Sequence, residues 1–146
     1  MEYSVKGVKE FEGMENKGFN ASLYHGNTKI ATVIDEGRGG EVLFRWIDPA
    51  EKAIFKTFSA SQPPIVIEGY DPVPVTMGLM VARLVDEFLT VAELRRACKG
   101  KTLYRLKGDK TDQWRVLKAA FSKPIESIII DRHGDALEEI LNKRFV

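Results

Sequence analysis

Phe19-Asn20-Ala21-Ser22-Leu23-Tyr24 and Lys29-Ile30-Ala31-Thr32-Val33-Ile34 are two runs of strand-forming character, with His25-Gly26-Asn27 in the short interval between them. Glycine and asparagine tolerate the positive φ that tight turns demand, so this segment predicts a β-hairpin. Upstream, Val5 to Phe11 predicts a further strand, set off by the Gly-rich Gly13-Met14-Glu15-Asn16-Lys17-Gly18. Downstream, Gly37-Arg38-Gly39-Gly40 leads into Glu41 to Ile47, where Val42, Phe44 and Trp46 alternate with Glu41, Leu43 and Arg45. A period of two puts alternate side chains on opposite faces, so the expected product is a four-stranded antiparallel meander with one buried face.

Helix signals begin at Asp48-Pro49-Ala50-Glu51, which combines an N-cap acid, proline at the first helical position and glutamate three residues after the cap. The helix predicted from Ala50 to about Ser59 places Ile54 and Phe58 four residues apart, on the face expected to cover the sheet. Gln62-Pro63-Pro64 ends it, Ile65 to Ile67 suits a short edge strand, and Asp71-Pro72-Val73-Pro74 is a stiff connection. Met77, Met80, Val81, Leu84 and Phe88 then recur at helical spacing. Thr90-Val91-Ala92-Glu93 reads as a second capping box, which predicts a separate helix from Val91 to Lys99 ended by Gly100.

Thr102 to Lys107 and Gln113 to Lys118 predict a hairpin across Gly108-Asp109-Lys110-Thr111-Asp112. Ile125, Ile128 and Ile129, then Leu137, Ile140 and Leu141 beyond His133-Gly134, predict a closing pair of helices. The fold class is therefore α+β: an N-terminal antiparallel meander packed by a helix, then helix pairs and a basic β-hairpin. The chain reads as one domain over 1–146, with 62–74 as its only candidate hinge. Val42, Phe44, Trp46, Phe58, Leu84, Phe88, Trp114, Ile128 and Ile140 are the expected core.

The chain has 146 residues and a single cysteine, which excludes an internal disulfide and any Cys-rich zinc site. The N-terminal residues lack the apolar run of a signal peptide, and charge interrupts every hydrophobic stretch, so a cytoplasmic protein with no membrane association is expected. Chemistry-bearing groups are sparse. Cys98 lies in a predicted helix and is read as a packed thiol, although nearby bases could lower its pKa. His25 is read as an exposed turn residue. Asp131-Arg132-His133-Gly134-Asp135 fits helix punctuation better than a metal site. No cofactor and no metal are expected.

Net charge is +1, but it is unevenly placed. Residues 1–48 hold six bases and eight acids, 49–90 three and five, and 91–146 thirteen and eight. Within Arg95 to Lys118 there are nine bases against Asp109 and Asp112. Strand alternation puts Tyr104, Leu106, Trp114 and Val116 on one hairpin face and Arg105, Lys107 and Arg115 on the other. Such a cationic strip neutralises phosphates. The expected function is non-enzymatic binding of nucleic acid, or of a host complex that handles it. The expected contacts are Arg95, Arg96, Lys99, Lys101, Arg105, Lys107 and Arg115. Two alternatives are a protein-binding or self-assembling module exposing Met77, Leu79 and Met80, and a small hydrolase or nuclease drawing on Asp35, Glu36, Asp131 and His133.

Lys6-Gly7-Val8-Lys9, Gly13-Met14-Glu15, Gly18-Phe19-Asn20-Ala21, Val33-Ile34-Asp35 and Gly39-Gly40 open the chain in a way that resembles small uncharacterised proteins of bacteriophages and other bacterial mobile elements. His133-Gly134-Asp135, Glu139-Ile140-Leu141-Asn142 and Phe145 are similar to how such proteins close. These motifs are turns and caps. The resemblance implies a setting, that of accessory proteins binding host machinery, including defence complexes, and no site residues.

Overall fold

The computed structural model describes residues 2–146 and is α+β. The chain divides into two compact units, Met1–Leu89 and Thr90–Val146. The 62–74 stretch lies within the first.

In the first unit, β1 (Tyr3–Glu12), β2 (Lys17–His25), β3 (Thr28–Asp35) and β4 (Leu43–Trp46) form the expected antiparallel sheet in the order β1-β2-β3-β4. His25 pairs with Thr28 across the central turn, where Gly26 takes φ +62°. A glycine in this conformation at the first turn position suits the right-handed twist of the flanking strands. One face of the sheet buries Tyr3, Val5, Phe19, Ala21, Leu23, Ala31 and Val33. Phe44 and Trp46 extend this face onto β4, because they pair with Val33 and Ala31.

Helix α1 (Pro49–Ala60) is capped as expected, with the Ala50 amide donating to Asp48 Oδ1 at 3.0 Å. Of the two residues expected to face the sheet, Phe58 is half-buried against the core with its ring 4.7 Å from Tyr3, and Ile54 gives way to Phe55. Phe55 is fully buried and Ser59 nearly so, whereas Ile54 is 44% exposed. The Phe55 ring lies 4.9 Å from Tyr3, 6.3 Å from Phe44 and 6.2 Å from Trp46. A ring at that position reaches three aromatic neighbours, which outweighs the aliphatic Ile54. Ser59 satisfies its buried hydroxyl on the Phe55 carbonyl at 2.8 Å. Ile65 and Val73 form an isolated antiparallel bridge, so the edge strand expected at Ile65 to Ile67 shrinks to one pair.

Helix α2 (Met77–Ala97) is continuous, where two helices were expected. No glycine or proline interrupts residues 79–97, and extending an existing helix gains a hydrogen bond for each residue fixed. The Thr90 capping box is therefore a latent start that the chain does not use. Within the first unit the helix buries Met80, Val81, Leu84 and Val85.

The second unit contains β5 (Thr102–Leu106), β6 (Arg115–Leu117), α3 (Lys123–His133) and β7 (Leu137–Ile140), followed by a 3₁₀ turn over Leu141–Phe145. The strand order is β6-β5-β7. The hairpin and α3 agree with expectation, but the second closing helix is a strand. Leu137, Ile140 and Leu141 carry a helical spacing, yet the free edge of β5 offers ladder hydrogen bonds that four residues of isolated helix cannot match. Leu103, Ile129, Ile140 and Leu141 form the buried apolar centre. Ile128, expected in the core, is 45% exposed, and its neighbour Ile129 is the buried residue. Among the described residues no helix is long and apolar enough to cross a membrane.

Candidate nucleic-acid interface

The cationic residues of the second unit are organised by one buried side chain, Asn142. Its Oδ1 accepts from the Leu103 amide at 2.8 Å, and its Nδ2 donates to the carbonyls of Lys101 at 2.8 Å and Cys98 at 3.4 Å. Three backbone groups at the end of α2 and the start of β5 are thereby tied to one amide. The last carbonyls of a helix lack intrahelical partners, and a side-chain donor placed there fixes how the chain leaves.

That exit runs from Arg96 in the last turn of α2 through Lys99 to Lys101, which enters β5 at the open end of the hairpin. Thr102 pairs with Leu117, and its hydroxyl donates to the Ala119 carbonyl at 2.8 Å, so Lys101 and Lys118 flank the same end. All four cations are exposed, and none makes an ion pair among the described residues. Lys118 counted toward the basic stretch without being singled out as a contact. Only strand register brings it to Lys101.

The remaining expected contacts are distributed differently. Arg115 is bound by Asp109 through two hydrogen bonds, at 2.9 and 3.1 Å. Arg105 is half-buried, donates to the Thr111 carbonyl at 2.8 Å and lies 3.6 Å from Glu139. Arg144 grips the same glutamate, with Nη2 donating to Oε1 at 2.8 Å. Arg95 stacks over Phe145 at 5.1 Å, whereas Lys107 is exposed at the far end of β5.

The register also corrects the expected two-faced hairpin. Tyr104 pairs with Arg115 and Leu103 with Val116, so Arg115 shares a face with Tyr104 and not with Arg105. Trp114, expected in the core, is half-buried with the Arg105 guanidinium 4.9 Å and the Arg144 guanidinium 5.7 Å from its ring centre. A flat indole face attracts guanidinium groups through its quadrupole, which holds this tryptophan at the surface. Tyr104 is half-buried, 5.2 Å from the His133 ring.

Paired carboxylates show the electrostatic result. Asp109 is held at a pKa of about 2, chiefly by the Arg115 hydrogen bond and then by the Leu106 amide. Glu139 is lowered by its bond to Arg144, against an opposing push from burial, and Arg144 and Arg105 add charge attraction. Burial raises the Cys98 thiol, so the neighbouring bases do not activate it.

The groups proposed for hydrolysis sit in different surroundings. Asp35 and Glu36 belong to the first unit, where Asp35 Oδ1 accepts from the Gly37 amide at 2.8 Å and Glu36 lies 3.6 Å from Arg38. Asp131 and His133 belong to the second, where His133 Nε2 is buried with no hydrogen-bond partner among the described residues. Among those residues no group of three or more His, Cys, Asp or Glu could hold a metal ion. His25, expected as a free turn residue, is half-buried, with Nδ1 3.0 Å from Glu51 Oε2 and its ring stacked on Tyr3 at 4.4 Å. Met80, expected in an exposed apolar patch, is buried, and Met77 packs against the core, leaving only Leu79 39% exposed. No protein-family model, curated protein or solved structure matches the chain.

Proposed function

We propose that the unit from Thr90 onward binds the phosphate backbone of nucleic acid, with Arg96, Lys99, Lys101 and Lys118 as its primary contacts. The observation that supports this reading is that all four cations are exposed and none is ion-paired among the described residues, with Lys101 and Lys118 flanking the open end of the hairpin and Arg96 and Lys99 in the segment that leads into it. Arg105 and Arg115, which the sequence nominates equally, already satisfy carboxylates and serve to hold the hairpin. Lys107 at the opposite end is a secondary contact. The host setting implied by the bacteriophage resemblance belongs to the same proposal, with a nucleic-acid-handling complex as the place where such a polyanion is met.

Each phosphate neutralised releases condensed counterions, so four contacts give a slope of log affinity against log salt of about −3.6 on duplex DNA. Fluorescence anisotropy with labelled duplex DNA and with RNA measures this slope. The quadruple variant R96E/K99E/K101E/K118E loses the salt-dependent binding, and R115A retains it. A flat salt response, or unchanged binding by the quadruple variant, removes the proposal. Equal binding to polyglutamate would show a generic cationic surface and remove the nucleic-acid assignment.

A further inference from the structure

The first unit contains a cleft of about 780 Å³ beside the free edge of its sheet, and it is independent of the cationic surface described above. Val42, Phe44 and Trp46 line it from β4, with Met77, Leu79 and Ala82 contributed by α2. Its volume falls within the range of about 300–1,000 Å³ typical of small-molecule sites. Phe44 and Trp46 stack with their planes 5° apart and their centres separated by 5.2 Å, which gives the cleft an aromatic wall. The aromatic set continues into the core through Phe55, so this side is held firmly.

Helix α1 supplies the charge. Lys52 and Lys56 lie one turn apart, both line the cleft, and neither makes an ion pair among the described residues. Asp35 and Glu41 line the cleft from the sheet side. Asp35 is engaged by the Gly37 amide. The cleft is therefore cationic along α1, acidic near the β3–β4 connection and apolar between. A ligand that fits this polarity carries its negative group toward α1 and its flat apolar body against Phe44 and Trp46.

We infer that this cleft binds a small aromatic carboxylate, its ring against Phe44 and Trp46 and its anion held by Lys52 and Lys56. The apolar lining contributes affinity through ring burial, and the lysines select the charge. A single cationic group of the same shape loses the lysine contacts and meets like charge there.

The test uses the full chain and three matched probes: 2-naphthoate, 2-naphthylmethanol and 2-naphthylmethylamine. Two-dimensional ¹H–¹⁵N NMR follows the Trp46 indole N–H and the Gly78 amide. Saturable shifts of both signals with naphthoate are expected, with affinity at least about tenfold above the alcohol and the amine, as one charge-assisted contact implies. K52E/K56E removes this preference, and because both lysines are exposed the variant keeps its fold by circular dichroism. A82F, which fills the cleft and leaves the lysines in place, weakens all three probes. Equal binding of the three probes, no saturable shift with naphthoate, or unchanged naphthoate affinity in K52E/K56E overturns the inference.

Discussion

Replacing Asn142 with alanine tests whether a single amide organises the second unit. The side chain is 6% exposed and makes three hydrogen bonds to backbone, one accepted from Leu103 and two donated to Cys98 and Lys101. Leu103 is itself buried at 6% exposure, so shortening Asn142 takes the partner from a buried amide. An orphaned buried donor costs about 1–3 kcal/mol, and two carbonyls near the surface, able to take water instead, add about 0.5 kcal/mol each. The expected loss is about 2–4 kcal/mol. With a urea dependence of about 2 kcal/mol per molar, the midpoint falls by about 1–2 M. Equilibrium urea unfolding followed by the fluorescence of Trp114 measures it, and amide exchange at Leu103 reports the broken bond directly. Asn142→Asp keeps an acceptor for Leu103 but turns a carboxylate toward two carbonyl oxygens, so it also destabilises. A loss under about 0.5 kcal/mol in Asn142→Ala, with Leu103 exchange unchanged, refutes the role given to this residue.

Phe55→Ala removes the ring at the centre of the aromatic cluster and costs about 3–5 kcal/mol by thermal or urea unfolding, while Ile54→Ala on the exposed side costs less than about 1 kcal/mol. Tyr3→Phe deletes a buried hydroxyl that lacks a hydrogen-bond partner among the described residues, so stability stays level or rises by up to about 1 kcal/mol in the same measurement. Asp109 and Glu139 both titrate below their ordinary values in the folded protein. Their contribution is fully present above the unfolded carboxylate range and is lost as pH falls toward the Asp109 value of about 2. The melting temperature of D109N/E139Q therefore declines less steeply than that of the parent below about pH 4.5, and parallel curves would count against these pairs.

Local signals were enough for the first unit's architecture. The Gly26 turn, the alternation from Val42 to Trp46 and the Asp48-Pro49 cap each act over a few residues, and a sheet with one buried face turns those signals into pairing without further information. Helix propensity was legible too, but not helix extent: the Thr90 box describes a start that a continuing helix had no need of. On α1 the spacing pointed to Ile54 and Phe58 as the inward face, and the aromatic neighbours on β1 and β4 chose Phe55 in place of Ile54.

The excess of positive charge late in the chain was plain from composition, and Arg96, Lys99, Lys101 and Lys118 stay exposed and outside the ion pairs of the described residues. Which bases remain free was decided by long-range pairing. Glu139 reaches Arg105 because β7 is a strand, and its spacing alone suggested a helix. Asn142 reaches back some forty residues to the end of α2, a contact that carries no local pattern. A sequence sets which charges exist and which short segments can form, since those depend on neighbours along the chain. Pairing between distant carboxylates and guanidinium groups depends on which strand edge is occupied, and only the folded chain determines that.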